Sequence, residues 1–368
     1  MTANVQDVVI IGGGISGTAA AFDLARSGAT VTLLEKGELA SMASGWTLAG
    51  VRQSGRHPAE LPLAQAAIKR WKTLNEELDA DVEYRQEGNL RLARTAQEVD
   101  IIAAIVTEQR QLGLELSFLQ DNEAVRAVAP SLSEAVLAAS YCPTDGHANP
   151  VATVQAFAAA AKRAGAKIRT QTAVTGIEVA GGRVTGVQTM AGPIAADAVV
   201  VAANVYASQL CAAIGLPWPL TADHVSVVQT VPLPPLLKQV LGVANADFAG
   251  RQEVNGRLRM TARTGPWTWP DGELAADDVQ PPAHMVATVI NRASVVLPAA
   301  AGARLARLWG GLIAMTPDGL PVIERSPEIE GLVIAAGFSG HGFCLGPITG
   351  RIICDLVSQG ETPLPIQP

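Results

Sequence analysis

The chain lacks long hydrophobic runs. Although 48% of its 368 residues are apolar, no run approaches the roughly 18 residues that a spanning helix needs. It also lacks a lysine/arginine cluster, and with a net charge of −7 nucleic acid is not expected as a main partner. Four cysteines, Cys142, Cys211, Cys344 and Cys354, form no C-x-x-C pair and have no zinc-like spacing, so neither a metal site nor a disulfide framework is expected. No basic stretch precedes the short apolar segment at Val8, which excludes a leader of the usual kind. A reduced, cytoplasmic setting follows. No internal repeat and no recognisable catalytic triad is present. The length suits two intimately joined domains around a substantial core.

What is present is concentrated near the start. Val8-Val9-Ile10-Ile11 leads into Gly12-Gly13-Gly14-Ile15-Ser16-Gly17, a helix is expected over Thr18 to Ser27, and a second strand, Thr30 to Leu34, ends at Glu35. This is G-x-G-x-x-G between strand and helix, with an acid eighteen positions after the last glycine. Gly12 permits the tight turn, Gly14 lets the backbone approach a pyrophosphate, and Gly17 lets helix and strand pack closely. The helix N-terminus offers free N–H groups and a positive dipole end to phosphate. Glu35 is placed to accept from ribose hydroxyls and disfavours a 2′-phosphate, which leaves NAD or FAD.

Further along, Trp309-Gly310-Gly311-Leu312, Thr316-Pro317-Asp318-Gly319-Leu320-Pro321-Val322-Ile323, Ala335-Ala336-Gly337-Phe338-Ser339-Gly340-His341-Gly342-Phe343 and Asp145-Gly146-His147-Ala148-Asn149-Pro150 are more specific than spacing alone. With these segments the chain resembles the D-amino-acid oxidase superfamily nearly end to end. The branch it looks most like contains the glycine and sarcosine oxidases and the beta subunits of proline, hydroxyproline and opine dehydrogenases. The resemblance implies an α/β fold: a glutathione-reductase-like FAD-binding Rossmann domain from residues 1–80, 146–220 and 305–368, and a second α+β substrate domain, on a mostly antiparallel sheet, from 81–145 and 221–304. It also implies non-covalent FAD, since no cysteine stands near Gly310-Gly311-Leu312-Ile313, where monomeric sarcosine oxidases carry one. The implied FAD contacts are Gly12, Gly14, Ile15, Ser16, Gly17, Glu35, Lys36, Ser44, Gly45, Val174, Ala203, Gly311, Gly340, His341, Gly342 and Phe343.

The local patterns fit that organisation. Helices are expected over Leu63 to Leu78, Thr95 to Leu112, Asp121 to Val128, Val151 to Ala164 and Ala283 to Val296, with Asn149 as a cap and Gly165 just past a helix end. Strands are expected within Val82 to Ala93, at Lys167 to Thr170, in a hairpin over Gly176 to Thr189, at Asp197 to Ala203 and at Leu332 to Ala336. The family usually has glycine where Asn204 stands, and asparagine tolerates positive φ better than most residues. The stretch Thr264 to Pro282, with Pro266-Trp267-Thr268-Trp269-Pro270, reads either as an ordinary surface loop or as a lid or partner-binding loop.

In a flavin amine oxidase the flavin takes a hydride at N5 from the carbon beside the amine nitrogen, and the resulting imine hydrolyses; the protein orients the bond and tunes the charge. Gly340-His341-Gly342-Phe343 is expected to face the flavin, with His341 as a candidate catalytic residue beside Arg259. Arg259 stands near where sarcosine oxidases carry an oxygen-activating lysine, and arginine is not interchangeable with lysine. Glycine oxidases bind the substrate carboxylate through an arginine where this chain has Ile313, and sarcosine oxidases through a lysine where it has Cys344. Arg52 and Arg56 are therefore the candidate substrate-binding residues. The implied substrate is a small amine: a secondary or D-amino acid, or an opine-like N-substituted amino acid. Electrons would pass to oxygen, a quinone or a partner subunit. The alternatives are a flavin-bearing subunit of a hetero-oligomer, inactive alone, and an FAD-dependent hydroxy-acid dehydrogenase.

Overall fold

The computed structural model describes residues 6–269 and 276–366. Its first layer is a six-stranded sheet in the order Val322–Arg325, Leu332–Ala336, Ala198–Val201, Asp7–Ile11, Thr30–Leu34, Lys167–Arg169. All neighbours are parallel except the edge strand Val322–Arg325. Alternation along the strands divides the core. Val8 and Ile10 pack under helices Ile15–Arg26, Leu61–Leu78, Pro150–Arg163 and Gly342–Gln359. Val9 and Ile11 face the other way, against the three-stranded sheet that runs from Val174 to Ala195 and the short helix Ala207–Ala212. Side chains of successive strand residues point to opposite faces, so one buried run serves two cores.

Small residues set the spacing of the first and last helices. A Cβ on Gly346 would lie 2.5 Å from Ile15, and one on Gly350 would lie 2.6 Å from the Ala19 side chain. The expected Asn149 cap is in place, its side chain accepting from Ala152 N–H at 3.1 Å, and Thr95, expected as the first helical residue, is instead an N-cap that accepts from Glu98 N–H at 3.2 Å. The first helix begins at Ile15 rather than Thr18, because Gly14 already occupies the N-cap. Of the stretch Val82 to Ala93 only Asn89–Ala93 is a strand.

The second layer is an eight-stranded sheet ordered Leu305–Met315, Thr221–Pro232, Arg257–Pro266, Ala249–Gln252, Val240–Val243, Asn89–Ala93, Ala138–Cys142, Ser117–Leu119. It is antiparallel except where Val240–Val243 runs beside Asn89–Ala93. One face buries Leu90, Leu92, Val228, Leu241 and Met260 against helices Ala283–Val296 and Asn122–Val128. The strand Leu305–Met315, expected within the nucleotide-binding part, instead pairs with Thr221–Pro232 from Thr221–Met315 to Thr230–Leu305. Its extended length continues the antiparallel ladder, and the chain crosses to the first sheet only after Met315.

Asn204 has φ +49. Its side chain also donates to Leu312 O at 3.0 Å and accepts from Ala314 N–H at 3.3 Å, which ties the two large sheets together as glycine could not. Part of the expected loop, Pro270 to residue 275, lies outside the described residues. Trp267 stacks on His224 with centroids 5.7 Å apart, and Trp269, 37% exposed, tilts against Tyr206 at 5.6 Å. Among the described residues no helix is long and apolar enough to cross a membrane.

Candidate active site

The two sheets enclose a cleft of about 520 Å³, within the usual range for cofactor sites. It starts at the glycine turn. Gly12 has φ +116, and a Cβ there would lie 2.4 Å from Ala202 O; one on Gly17 would lie 2.0 Å from Gly12 O. Both positions therefore exclude a side chain. Gly14 caps the first helix without a side chain, and Ile15 N–H donates to Ser44 Oγ at 3.0 Å. The helix thus presents its positive end to the cleft, the arrangement that holds a pyrophosphate. Glu35 accepts from Gly13 N–H at 2.6 Å and from Gly37 N–H at 2.8 Å, which fixes its carboxylate at the rim. Lys36 Nζ lies 3.4 Å from the Tyr206 ring centroid.

Of the residues expected at the cofactor, Gly12, Gly14, Ile15, Ser16, Glu35, Lys36, Ser44, Val174, Ala203, Gly311, Gly340, Gly342 and Phe343 line the cleft. Three do not. Gly17 is buried against Gly12, Gly45 is packed against Ala40 O, and His341 turns to Glu60, with Nδ1 2.8 Å from Oε2. A carboxylate accepts there, so Nδ1 carries the proton. Burial, with help from Arg56, pushes His341 down to about 4, and it is neutral at pH 7. Burial alone would raise Glu60, but the His341 hydrogen bond and Arg56 hold it below the usual carboxylate range.

The candidate arginines also lie off the cleft. Arg259 Nε pairs with Glu253 Oε1 at 2.6 Å, its Nη1 donates to Thr47 O at 2.7 Å, and the guanidinium lies 5.1 Å from the Trp309 ring centroid. It holds a wall of the cleft rather than facing into it. Arg251 donates to Leu48 O and Trp309 Nε1 donates to Trp46 O at 3.0 Å. Three consecutive carbonyls, Trp46 to Leu48, thus each receive a donor from the eight-stranded sheet. Arg52 donates to Ser54 O, and Arg56 Nε donates to Arg52 O at 3.2 Å.

The inner end is lined by Val225, Val227, Thr261, Ile313 and Phe343, beside the N-terminus of the last helix. Among the described lining residues only Glu35 and Lys36, both near the glycine turn, are charged, and none is a cysteine or histidine. Sequence reasoning missed Val225, Val227 and Thr261. The alternation of their strands was a visible signal, but which face meets the cleft depends on sheet pairing.

A strand–glycine turn–helix with a pinned ribose-side acid, opening into an apolar inner chamber, defines a dinucleotide-dependent oxidoreductase. Residues 7–356 match the family described as DAO, FAD dependent oxidoreductase. Glycine oxidase of Geobacillus kaustophilus is 31% identical over 98% of this chain and 95% of its own. Sarcosine oxidase subunit beta of Arthrobacter sp is 30% identical over 96% and 87%. The structure of L-proline dehydrogenase from P. horikoshii superposes with a TM-score of 0.89 at 29% identity, covering 98% of this chain and 96% of that one. The chain belongs to the DAO family of FAD-dependent oxidoreductases, and its cofactor is FAD.

Proposed function

We propose that the protein oxidises the C–N bond of a small amine, a secondary or D-amino acid or an opine-like N-substituted amino acid, to an imine that hydrolyses. The observation that carries this reading is the inner end of the cleft, which is mostly apolar, shows no charged side chain, cysteine or histidine among the described lining residues, and is placed at the N-terminus of Gly342–Gln359. Such a chamber binds and orients a substrate but supplies no covalent chemistry of its own. The names of the relatives, an amino-acid oxidase, an amine oxidase subunit and an amino-acid dehydrogenase, support the same reaction class.

Bound FAD supplies the two-electron acceptor for the C–H bond next to nitrogen. The chain's part is to hold it. The N–H groups at Gly14 and Ile15, with the Ser44 hydroxyl, face the pyrophosphate, Glu35 takes the ribose, and Lys36, Val174 and Ala203 line the adenosine side. Gly311, Gly340, Gly342 and Phe343 face the flavin ring, where a helix N-terminus stabilises negative charge on reduction. The helix N-terminus at Gly14 and Ile15, with the Ser44 hydroxyl held by Ile15 N–H, and the glycines that leave no room for Cβ fit such a group. Attachment is non-covalent, because no described cysteine or histidine lines the cleft.

The parallel sheet supports a glutathione-reductase-like Rossmann domain built from residues 1–80, 146–220 and 316–368. The substrate domain takes 81–145 and 221–315, with Leu305–Met315 moved to it by its pairing. Arg259, tied to Glu253, favours a quinone or partner subunit over oxygen as electron acceptor. The likeness to a beta subunit favours a hetero-oligomer as second reading. Four free thiols suit a cytoplasmic location.

Anaerobic addition of sarcosine, proline, hydroxyproline, D- and L-amino acids and opines to the yellow holoenzyme tests the reaction. Bleaching by one of them is expected. A holoenzyme bleached by a hydroxy acid and by no amine would sink the reading.

A further inference from the structure

Among the described residues the inner cleft has no cation for a substrate carboxylate, yet surplus positive charge lies close by. Arg91, from strand Asn89–Ala93, lays its guanidinium on the backbone of Gly55, where a Cβ would lie 2.6 Å from Nη2 and φ is +67. Arg56, 5% exposed, leaves Nη1 without a hydrogen-bond partner, 3.6 Å from Glu60 Oε1. The charged groups acting on Arg52 are Arg56, Arg91, Asp145 and Glu60. Three guanidinium groups thus meet two carboxylates, and both carboxylates are engaged. Asp145 accepts from Gln53 N–H at 2.8 Å and from the Ser54 hydroxyl, and Glu60 accepts from His341. The Arg91 side chain makes no hydrogen bond or ion pair among the described residues, and the charges acting on it are those of Arg56 and Asp145. The Tyr84 hydroxyl, buried within the field of Asp145 and Cys344, has no partner either. Arg52 and Arg91 are half-buried and only Arg56 Nη1 is a buried guanidinium nitrogen without a hydrogen-bond partner among the described residues; an incoming anion would give it one and offset the surplus positive charge.

The strand register leads from the cleft toward this cluster. Val227 pairs with Thr261, Thr261 with Ala249, Ala249 with Gly242, and Gly242 with Arg91. Cross-strand partners share a face of the sheet, and Val227 and Thr261 line the cleft on that face. Between them and Arg91 stand only an alanine and a glycine. A Cβ on Gly242 would meet nothing within 4 Å. Three strand steps at about 4.8 Å place the Arg91 backbone roughly 14 Å from that of Thr261.

We propose that Arg91, with Arg52 and Arg56, forms an anion subsite at the end of this trough, for a carboxylate that the substrate carries several bonds from the C–N bond oxidised. The substrate class is then a secondary amine with a distal carboxylate. This rests on the amine-oxidation reading.

The test uses holoenzyme and two unreactive probes, glutarate and propionate, followed by the perturbation of the flavin spectrum. Arg91→Met is expected to weaken glutarate about 10- to 150-fold, the range for a lost charged hydrogen bond, with propionate changed by about twofold or less and FAD content unchanged. Arg91→Lys is expected to recover part of the loss. Gly242→Val, which fills the trough without removing a charge, is expected to weaken glutarate selectively as well. Equal glutarate affinity in wild type, Arg91→Met and Gly242→Val overturns the subsite, and does so even if amines bleach the flavin normally. Selective loss of glutarate in an enzyme that no amine bleaches supports the subsite and overturns the amine reading instead.

Discussion

At the scale of single residues, Gly12 and Asn204 give opposite lessons about positive φ. At Gly12 an added Cβ meets Ala202 O at 2.4 Å, so Gly12→Ala strains the turn by about 1–3 kcal/mol and is expected to yield protein purified without flavin absorbance. At Asn204 the side chain has work of its own in two hydrogen bonds. Asn204→Gly keeps the conformation and loses the bonds, while Asn204→Ala loses both. The melting temperature is expected to fall in the order wild type, Asn204→Gly, Asn204→Ala. His341 supplies a pH dependence. Folded, it titrates near 4 because of burial and Arg56; unfolded, near 6.5. Between those values the unfolded chain binds more protons, so stability rises with pH across the window. Glu60, depressed by His341 and Arg56, acts in the same direction. Stability to urea is expected to drop by about 1–3 kcal/mol from pH 7 to pH 4 on account of this pair, and His341→Gln is expected to flatten the slope.

At the scale of elements, the first and last helices are spaced by Gly346 against Ile15 and Gly350 against Ala19. Gly350→Val drives a side chain into Ala19, and overpacking of this kind costs about 1–3 kcal/mol. Because Ile15–Arg26 carries the phosphate-binding end, FAD affinity is expected to fall with stability, as flavin release on dilution will show. What was legible in the sequence lies at this scale and below. The glycine turn, the Asn149 cap and the helix Ala283–Val296 depend on neighbours a few positions away, and local signals sufficed. His341 was expected at the flavin along with its sequence neighbours, and Gly340, Gly342 and Phe343 do line the cleft. Its own side chain follows Glu60, 281 positions distant, which no local pattern records. Arg259 shows the same limit: its partner Glu253 is near in sequence, but the carbonyl it holds belongs to the distant cleft-wall residue Thr47. The strand Leu305–Met315 looked like a return to the first sheet because nothing in its composition states which sheet it joins.

At the scale of the whole molecule, the reduced enzyme is expected to be reoxidised slowly by air and faster by a soluble quinone, followed by recovery of flavin absorbance after anaerobic bleaching. Fast recovery in air alone would remove the case for a dehydrogenase. The clasp on Trp46 to Leu48 bears on how such a molecule is made. The segment that walls the cofactor cleft comes early in the chain, but the groups that grip it, Arg251, Arg259 and Trp309, emerge from the ribosome some two hundred residues later. A nascent chain with its glycine turn already formed still has no cleft wall. Stable loading with FAD is therefore expected only after the far sheet has closed on this segment.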